Sequence, residues 1–459
     1  MAGKLEKGIL ICGGLAAAEY LRRKAGGEPD SRYEPWEREP YRDSGTRVLV
    51  AGGGFGGYTA ARTLCRLLRD RDDVGVMVVS RDNFFTFWPM LAGVISSDIE
   101  LRNVAQPLRR SLISCGASFR RAEVEGVDPE RRVIRASGRE IPYEHLILTL
   151  GGEPSYFGIP GVEEHSISMT GIETAEKIRN RVIERYEEVI LARGDVAEGK
   201  LTFVVIGGGA TGVETAAELH GLIHDVLPPD YPNIDPDSVR IVLVDKNEQI
   251  LGELDPALRR AARGKLDDMS IEVKNNAGAE EVGADRVRLD DGGEILSENV
   301  IWTAGARASE TVDALDLPAD ERRGLTVDRY MRVSGHENIW AIGDCAANVD
   351  SDGGSIPPNA QAAVQGGEAV AKNVLAAIDG RELQTFDYRS MGQLVELGSR
   401  FAVNDVMGVK FSGLAASLFW RATYLFKLQS PQKRTRIAVD WLLDLFTHPS
   451  VTQIRGRGS

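Results

Sequence analysis

The chain has 459 residues, enough for two or three domains of about 150 residues and for large buried cores. Its composition, 42% hydrophobic and 27% charged with 50 glycines, is globular, excludes disorder throughout, and favours backbone contacts to a ligand. A formal net charge of −13 excludes nucleic acid as a partner, because neutralising phosphates needs a basic surface.

At the start of the chain, Gly8 to Ala18 ("GILICGGLAAA") is shorter than the ~20 residues of a spanning helix. It reads as a signal-like or peripheral segment, or as a frayed tail; Ile11 before Cys12 does not suit a lipoprotein site. Residues 25–46 repeat proline and charge without periodicity, the mark of a linker or an extended arm. The four cysteines, Cys12, Cys65, Cys115 and Cys345, are scattered and form no Cys-x-x-Cys pair, which points to a reducing compartment and to no metal centre.

"RVLVAGGGFGGYTAARTLCRLL" predicts a buried strand over Arg47–Ala51, a glycine turn and a helix from about Gly56, with "GVMVVS" as the next parallel strand. "HLILTLGG" is another buried strand. Thr170 and Glu173 are expected to form a capping box for the helix that follows. The strand, turn and helix return in "KLTFVVIGGGATGVETAAELHGLI", followed by the strand "RIVLVDKN". "VIWTAGARA" and "NIWAIGDCAAN" are further apolar runs of strand length, each ending in a small-residue turn of the kind that binds ligands at the carboxyl ends of parallel strands.

Gly52, Gly54 and Gly57 match G-x-G-x-x-G between strand and helix, and Gly207, Gly209 and Gly212 match it again. Such a turn lets backbone approach a pyrophosphate seated on the helix N-terminus. Asp245, closing the strand after the second motif, is placed to accept from a ribose 2′-OH and repel a 2′-phosphate, so it favours NADH; it also reads as a plain strand-end turn residue. Ser80 holds the matching place in the first unit, without charge. Asp344 is suited to anchor the sugar-alcohol and phosphate part of a flavin. A helix starting near Asn359 or Ala360 would aim its positive end at the flavin, unless Asn359 is simply its cap.

"GGGATGVETAAEL", "VIWTAGARA", "AIGDCA", "PPNAQAAVQ" and "VMGVKFSGLAASLFWRATYL", in this order, closely resemble the type II NADH dehydrogenases, single-chain NADH:quinone oxidoreductases. The resemblance runs from about residue 46 to near the C-terminus and implies an α/β fold of two Rossmann-like domains, the FAD lobe interrupted by the NADH lobe. The corresponding bounds are 1–46 extension, 47–165 and 311–390 FAD domain, 166–310 NADH domain, and 391–459 membrane-association region. It also implies hydride transfer from NADH to FAD, then two electrons to a membrane quinone, without ion pumping. By motif, Gly52, Gly54, Gly57, Ser80, Asp344 and Ala360 would hold FAD, and Gly207, Gly209, Gly212, Asp245 and Gly305 would hold NADH. Gln361 and Gln365 would border the quinone. Glu214 would stand near the junction of flavin, nicotinamide and quinone, protonated by burial, or would only complement a helix dipole. Ser80 replaces a common acid of the family, and "LTLGG" lacks its usual Ala-Thr-Gly. The alternatives are a sulfide:quinone oxidoreductase, for which Cys345 is the cysteine near a flavin motif, and a non-catalytic nucleotide-binding protein.

The tail is amphipathic. On a helix over Phe411–Leu428 the residues Phe411, Leu414, Ala415, Leu418, Phe419, Ala422, Leu425 and Phe426 share a face. After Pro431 a second helix collects Ala438, Val439, Leu442, Leu443, Leu445 and Phe446. The local charge from residue 401 onward is +5, and Trp420, Tyr424 and Trp441 suit a headgroup layer. The expectation is peripheral attachment to the cytoplasmic face of a membrane; a dimer interface or a cover for the flavin lobe is the other reading.

Overall fold

The computed structural model describes residues 40–193, 197–320, 324–351, 353–398, 400–428, 430–443 and 451–453. Gly8 to Ala18, most of the proline-rich arm, and Asp444, Leu445, Phe446, Arg455 and Arg457 of the tail lie outside the described residues.

Apolar runs without alternation become strands buried on both faces, the signature of parallel sheets. β1 (Thr46–Ala51) feeds α1 (Phe55–Leu67), then come β2 (Val74–Ser80), α2 (Leu108–Ile113), β3 (Ser118–Arg121) and β4 (His145–Leu148). A second unit follows: β5 (Ser166–Ser168), α3 (Ile172–Leu191), β6 (Thr202–Ile206), α4 (Ala210–Gly221), β7 (Arg240–Val244), α5 (Pro256–Asp268), β8 (Glu272–Lys274) and β9 (Asn299–Trp302). The chain returns to the first unit through β10 (Ile339–Ala341) and α6 (Ala360–Ile378). The sheets, β10-β4-β1-β2-β3 and β5-β9-β6-β7-β8, are parallel throughout, so the fold is α/β with two Rossmann-type units and the first is completed by chain that follows the second.

Register aligns the ligand-facing ends. Ala51 pairs with Val79 and Leu148, and Leu148 pairs with Ala341, so Gly52, Ser80, Thr149 and Ile342 leave the first sheet level with one another. In the second sheet Ile206 pairs with Val244 and Trp302, which brings Gly207, Asp245 and Thr303 together.

Two local expectations change. Helix α3 is capped from Thr174, whose Oγ1 accepts from the N–H groups of Thr170 and Gly171, both at 3.0 Å, while Glu173 is exposed. One hydroxyl already takes two orphan donors, so the Thr170–Glu173 box has no task. Near the C-terminus, β11 (Gly392–Glu396), β12 (Ala402–Val406) and β13 (Val409–Gly413) form an antiparallel meander before α7 (Leu414–Lys427) and α8 (Pro431–Leu443). Phe411 therefore pairs with Asn404 in a strand, and Gly413, at φ +88°, turns the chain into the helix three residues later than expected.

Among the described residues the rest of the predicted apolar face is outward except Leu425, which is half-buried against the core. Leu418 is 59% and Phe426 72% exposed, with Leu414, Phe419, Val439, Leu442 and Leu443 also exposed. The opposite side of α7, Ala416, Ser417 and Trp420, packs on the body. This reverses the place expected for the aromatics: Trp420 is 2% exposed, Tyr424 packs on Trp420 and Phe87, and Trp441 takes the Arg421 guanidinium at 4.7 Å. Among the described residues no helix is long and apolar enough to cross a membrane.

Candidate functional site: two glycine turns and a buried carboxyl cluster

The two glycine turns are built alike. Gly52 has φ +113° and Gly207 φ +116°, conformations that L side chains rarely adopt. A Cβ on Gly57 would stand 2.0 Å from the Gly52 carbonyl, and one on Gly212 would stand 1.7 Å from the Gly207 carbonyl, so each third glycine lets the helix close on its strand. Thr149 and Thr303 complete each turn, donating to the Gly52 carbonyl at 3.0 Å and the Gly207 carbonyl at 3.1 Å. Gly54 and Gly209 differ from the others: each is a helix N-cap with no side-chain cap, and a Cβ on either would meet nothing within 4 Å. Each turn therefore leaves an open cradle over unsatisfied N–H groups, the geometry that accepts a phosphate.

Around the first turn the structure gathers Ser80, Asp344 and the start of α6. Ser80 lies against Gly53, where a Cβ would come 2.7 Å from its hydroxyl. Asp344 sits in the turn Gly343–Cys345 and lines a cavity of about 150 Å³ with Arg307, Asn348 and Ala362. Burial alone pushes its carboxyl above the ordinary value. Helix α6 rests on α1 so closely that a Cβ on Gly367 would come 2.6 Å from the Gly56 carbonyl. Asn359 does cap α6, accepting from the Ala362 N–H at 2.8 Å, and Ala360 opens the helix. Cys345 is fully buried, its thiol pushed up to about 11 and donating to the Ile342 carbonyl at 3.3 Å, which makes it packing and not a redox group.

At the second turn, Asp245 spends both oxygens on its own backbone, accepting from Gly208 N–H and, at 2.6 Å, from Asn247 N–H. The strand-end turn role is thus filled, and each oxygen keeps a second lone pair for a ligand. Gly305, at φ +71°, lies beside Phe157, whose ring a Cβ would meet at 2.4 Å.

Gln361 and Gln365 act together on one segment. Gln361 Nε2 donates to the Gly392 carbonyl at 2.7 Å and its Oε1 accepts from Met391 N–H at 3.1 Å. Gln365 grips both backbone groups of Arg389 in the same way, at 2.9 and 3.1 Å. Residues 389–392 lead into β11, which ends at Glu396, and Glu396 N–H donates to Glu214 Oε1 at 3.3 Å. A single strand therefore joins the glutamines of α6 to the acid of α4.

Glu214 belongs to a larger cluster. Glu214 is half-buried, and its carboxyl is pushed up to about 8, first by loss of solvation, with Glu218 adding to the rise and Glu396 N–H opposing it. Glu218, one helical turn on, is buried, accepts from the Ser96 hydroxyl, and is raised to about 7 by burial and by Asp98. Burial pushes Glu396 well above the ordinary range. Arg421 from α7 is the counter-charge, reaching Asp98 at 3.0 Å and Glu396 at 3.4 Å. Glu218 and Glu396 share the single Arg421 charge with Asp98, and Glu214 adjoins both glutamates; with Glu214, Glu218 and Glu396 all raised, the cluster retains protons near neutral pH. Sequence reading missed Glu218, Glu396, Asp98 and Arg421. The Glu214–Glu218 spacing on a helix was a usable signal for the first of these; the others come from distant segments.

The sequence matches the pyridine nucleotide-disulphide oxidoreductase family over residues 46–367. It is 30% identical over 434 residues to the internal alternative NAD(P)H-ubiquinone oxidoreductase A1, mitochondrial, of Arabidopsis thaliana, covering 86% of this chain and 83% of that one. The type II NADH:quinone oxidoreductase of Haemophilus influenzae is 28% identical over 388 residues, covering 78% and 86%. The fold is similar to that of NDH2 from Plasmodium falciparum, solved in complex with NADH, at a TM-score of 0.80 and 19% identity over 89% of this chain and 100% of that one.

Proposed function

The chain belongs to the pyridine nucleotide-disulphide oxidoreductase family, and from that membership we propose that it is a type II NADH:quinone oxidoreductase using FAD and NADH. The observation that carries the reading is the repeated turn: twice, a strand end level with its neighbours opens into a helix with an uncapped N-terminus and a glycine facing open space. FAD supplies the chemistry when bound, taking a hydride from NADH and passing two electrons to a quinone without ion pumping.

The chain's own residues position and protonate. Gly52, Gly54, Gly57, Ser80, Asp344 and Ala360 hold FAD, within residues 47–165 and 311–390; Gly207, Gly209, Gly212, Asp245 and Gly305 hold NADH, within 166–310. Gln361 and Gln365 fix the 389–392 segment as a wall of the quinone site by holding four of its backbone groups, which supports a positioning role. Glu214 keeps a proton on its carboxyl at neutral pH and gives it to the acceptor as the quinol forms, with Glu396 and Glu218 as the adjoining proton-holding groups.

A quinone dissolves in lipid, and the exposed row Leu414, Leu418, Phe419 and Phe426 on α7 supports attachment of residues 391–459 to a bilayer surface; the side we propose is the cytoplasmic face. Apolar contact carries this attachment more than charge: Arg421 is paired internally, Lys410 pairs with Asp255 at 2.6 Å, and Lys433 donates to the Arg102 carbonyl at 2.6 Å. Pairing of two chains through the same face is the competing arrangement. Anaerobic addition of NADH to the purified flavoprotein should bleach the flavin, and a quinone should restore it; a flavin that stays oxidised under NADH rules the assignment out.

A further inference from the structure

Helix α1 carries the first glycine turn at one end and a reactive cluster at the other. Cys65 stands in its last turn, and Cys115 lies in the turn between α2 and β3. Far apart in sequence, the two thiols lie close enough to influence each other's ionisation, are both free, and line one cavity of about 860 Å³. Both are half-buried, so a small solute reaches sulfur. Arg62 and Arg66 from α1, and Arg69 just beyond its end, line the same cavity, with Glu368 as an acid among them.

The pair is asymmetric. The neighbouring Cys65 thiol, the backbone at Ala117 and the Arg62 charge favour a thiolate on Cys115; together these outweigh burial and pull it down to about 7. When neutral, Cys115 donates to the Leu112 carbonyl at 3.1 Å. The same contact, with burial, drives Cys65 far upward, so it keeps its proton. One sulfur is thus prepared as a nucleophile and the other as a proton-bearing partner within reach. Cys345, enclosed and bonded to carbonyls, has none of these features and serves as an internal control.

We propose that Cys65 and Cys115 are a peroxide-responsive dithiol that closes reversibly into a disulfide between α1 and the turn before β3. The Cys115 thiolate attacks one oxygen of hydrogen peroxide; the S–O bond forms as the O–O bond breaks, and the released hydroxide leaves as water with the proton Cys115 had lost. The Cys65 sulfur then attacks the sulfenic sulfur: the S–S bond forms, the S–O bond breaks, and the Cys65 proton leaves with the hydroxyl as a second water. The two thiols lose two electrons and the peroxide gains them. Thiol reductants reverse the bond.

The test is peptide mapping of the reduced holoenzyme after brief exposure to hydrogen peroxide near neutral pH, with maleimide quenching. The expected product is a Cys65–Cys115 cross-linked peptide that dithiothreitol cleaves, formed while Cys345 remains alkylatable under denaturing conditions. In Cys65→Ser, Cys115 should stop as a sulfenic acid that dimedone labels. In Cys115→Ser, Cys65 should oxidise at least ~10-fold more slowly than Cys115 does in the parent. Oxidation without the cross-linked peptide, or a Cys65 that reacts equally fast without Cys115, overturns the proposal. The cross-link is read by mass and is independent of NADH and quinone turnover.

Discussion

Arg421 donates through Nη2 to both carboxylate oxygens of Asp98, at 3.0 and 3.1 Å, and so ties helix α7 to the body of the protein. Because Glu396 also leans on this guanidinium, Arg421→Met leaves two enclosed acids without a counter-charge. The expected loss is about 3 kcal/mol of stability, with Arg421→Lys recovering part of it, read as thermal midpoints.

The glycines of the first turn should separate by function. Gly57→Ala forces a Cβ into the Gly52 carbonyl and should destabilise the fold, while Gly54→Ala meets only open space and should leave the apoprotein's melting unchanged. Gly54→Ala should nonetheless weaken FAD retention by roughly 10-fold, about 1.4 kcal/mol, measured by equilibrium dialysis. Equal melting losses in the two variants would count against the cradle.

Gln361→Leu removes the side chain that holds Met391 and Gly392. Stopped-flow reduction of the flavin by NADH should stay within about 2-fold of the parent, and reoxidation by quinone should slow by about 10-fold or more. Parallel loss of both half-reactions would contradict its placement at the quinone wall.

Glu214 gives stability a defined pH dependence. Its carboxyl is raised from 4.5 to about 8 in the fold, so the folded chain binds more protons than the unfolded one between those values. Its contribution is full below about pH 4.5 and is lost as pH rises toward 8, at no more than about 1.4 kcal/mol per pH unit. Glu214→Gln should flatten this slope in melting curves taken across that range, and should slow quinone reduction at pH 7 while sparing NADH oxidation by the flavin.

Leu418 and Phe426 are exposed on α7, so the double change Leu418→Glu, Phe426→Glu should alter stability by only about 0.5 kcal/mol. It should abolish co-flotation with phosphatidylcholine–phosphatidylglycerol vesicles. Persistent flotation would assign the exposed face to another chain, with analytical ultracentrifugation of the parent as the direct check.

Strand and glycine-turn positions were legible in the chain because they rest on near-neighbour physics: an apolar run needs burial, and a glycine spacing sets the turn and the close approach of helix to strand. The amphipathic period of the tail was legible too, yet which side of α7 meets the protein was not. That choice belongs to Asp98 and Glu396, which draw Arg421 inward and carry Trp420 with it. Asp245 shows the same limit, since only the folded turn reveals that its oxygens already serve Gly208 and Asn247.

By itself the sequence determined the α/β class, the two glycine turns and the helical repeat of the C-terminal segment, because each is set by residues close together along the chain. Tertiary structure alone decided that Glu218, Asp98 and Glu396 gather around Arg421 with Glu214 beside them, and that Cys65 meets Cys115. The physical reason is common to both clusters: ionisation depends on dielectric surroundings and on charges within a few ångströms, and residues remote in sequence supply them only after the chain has folded.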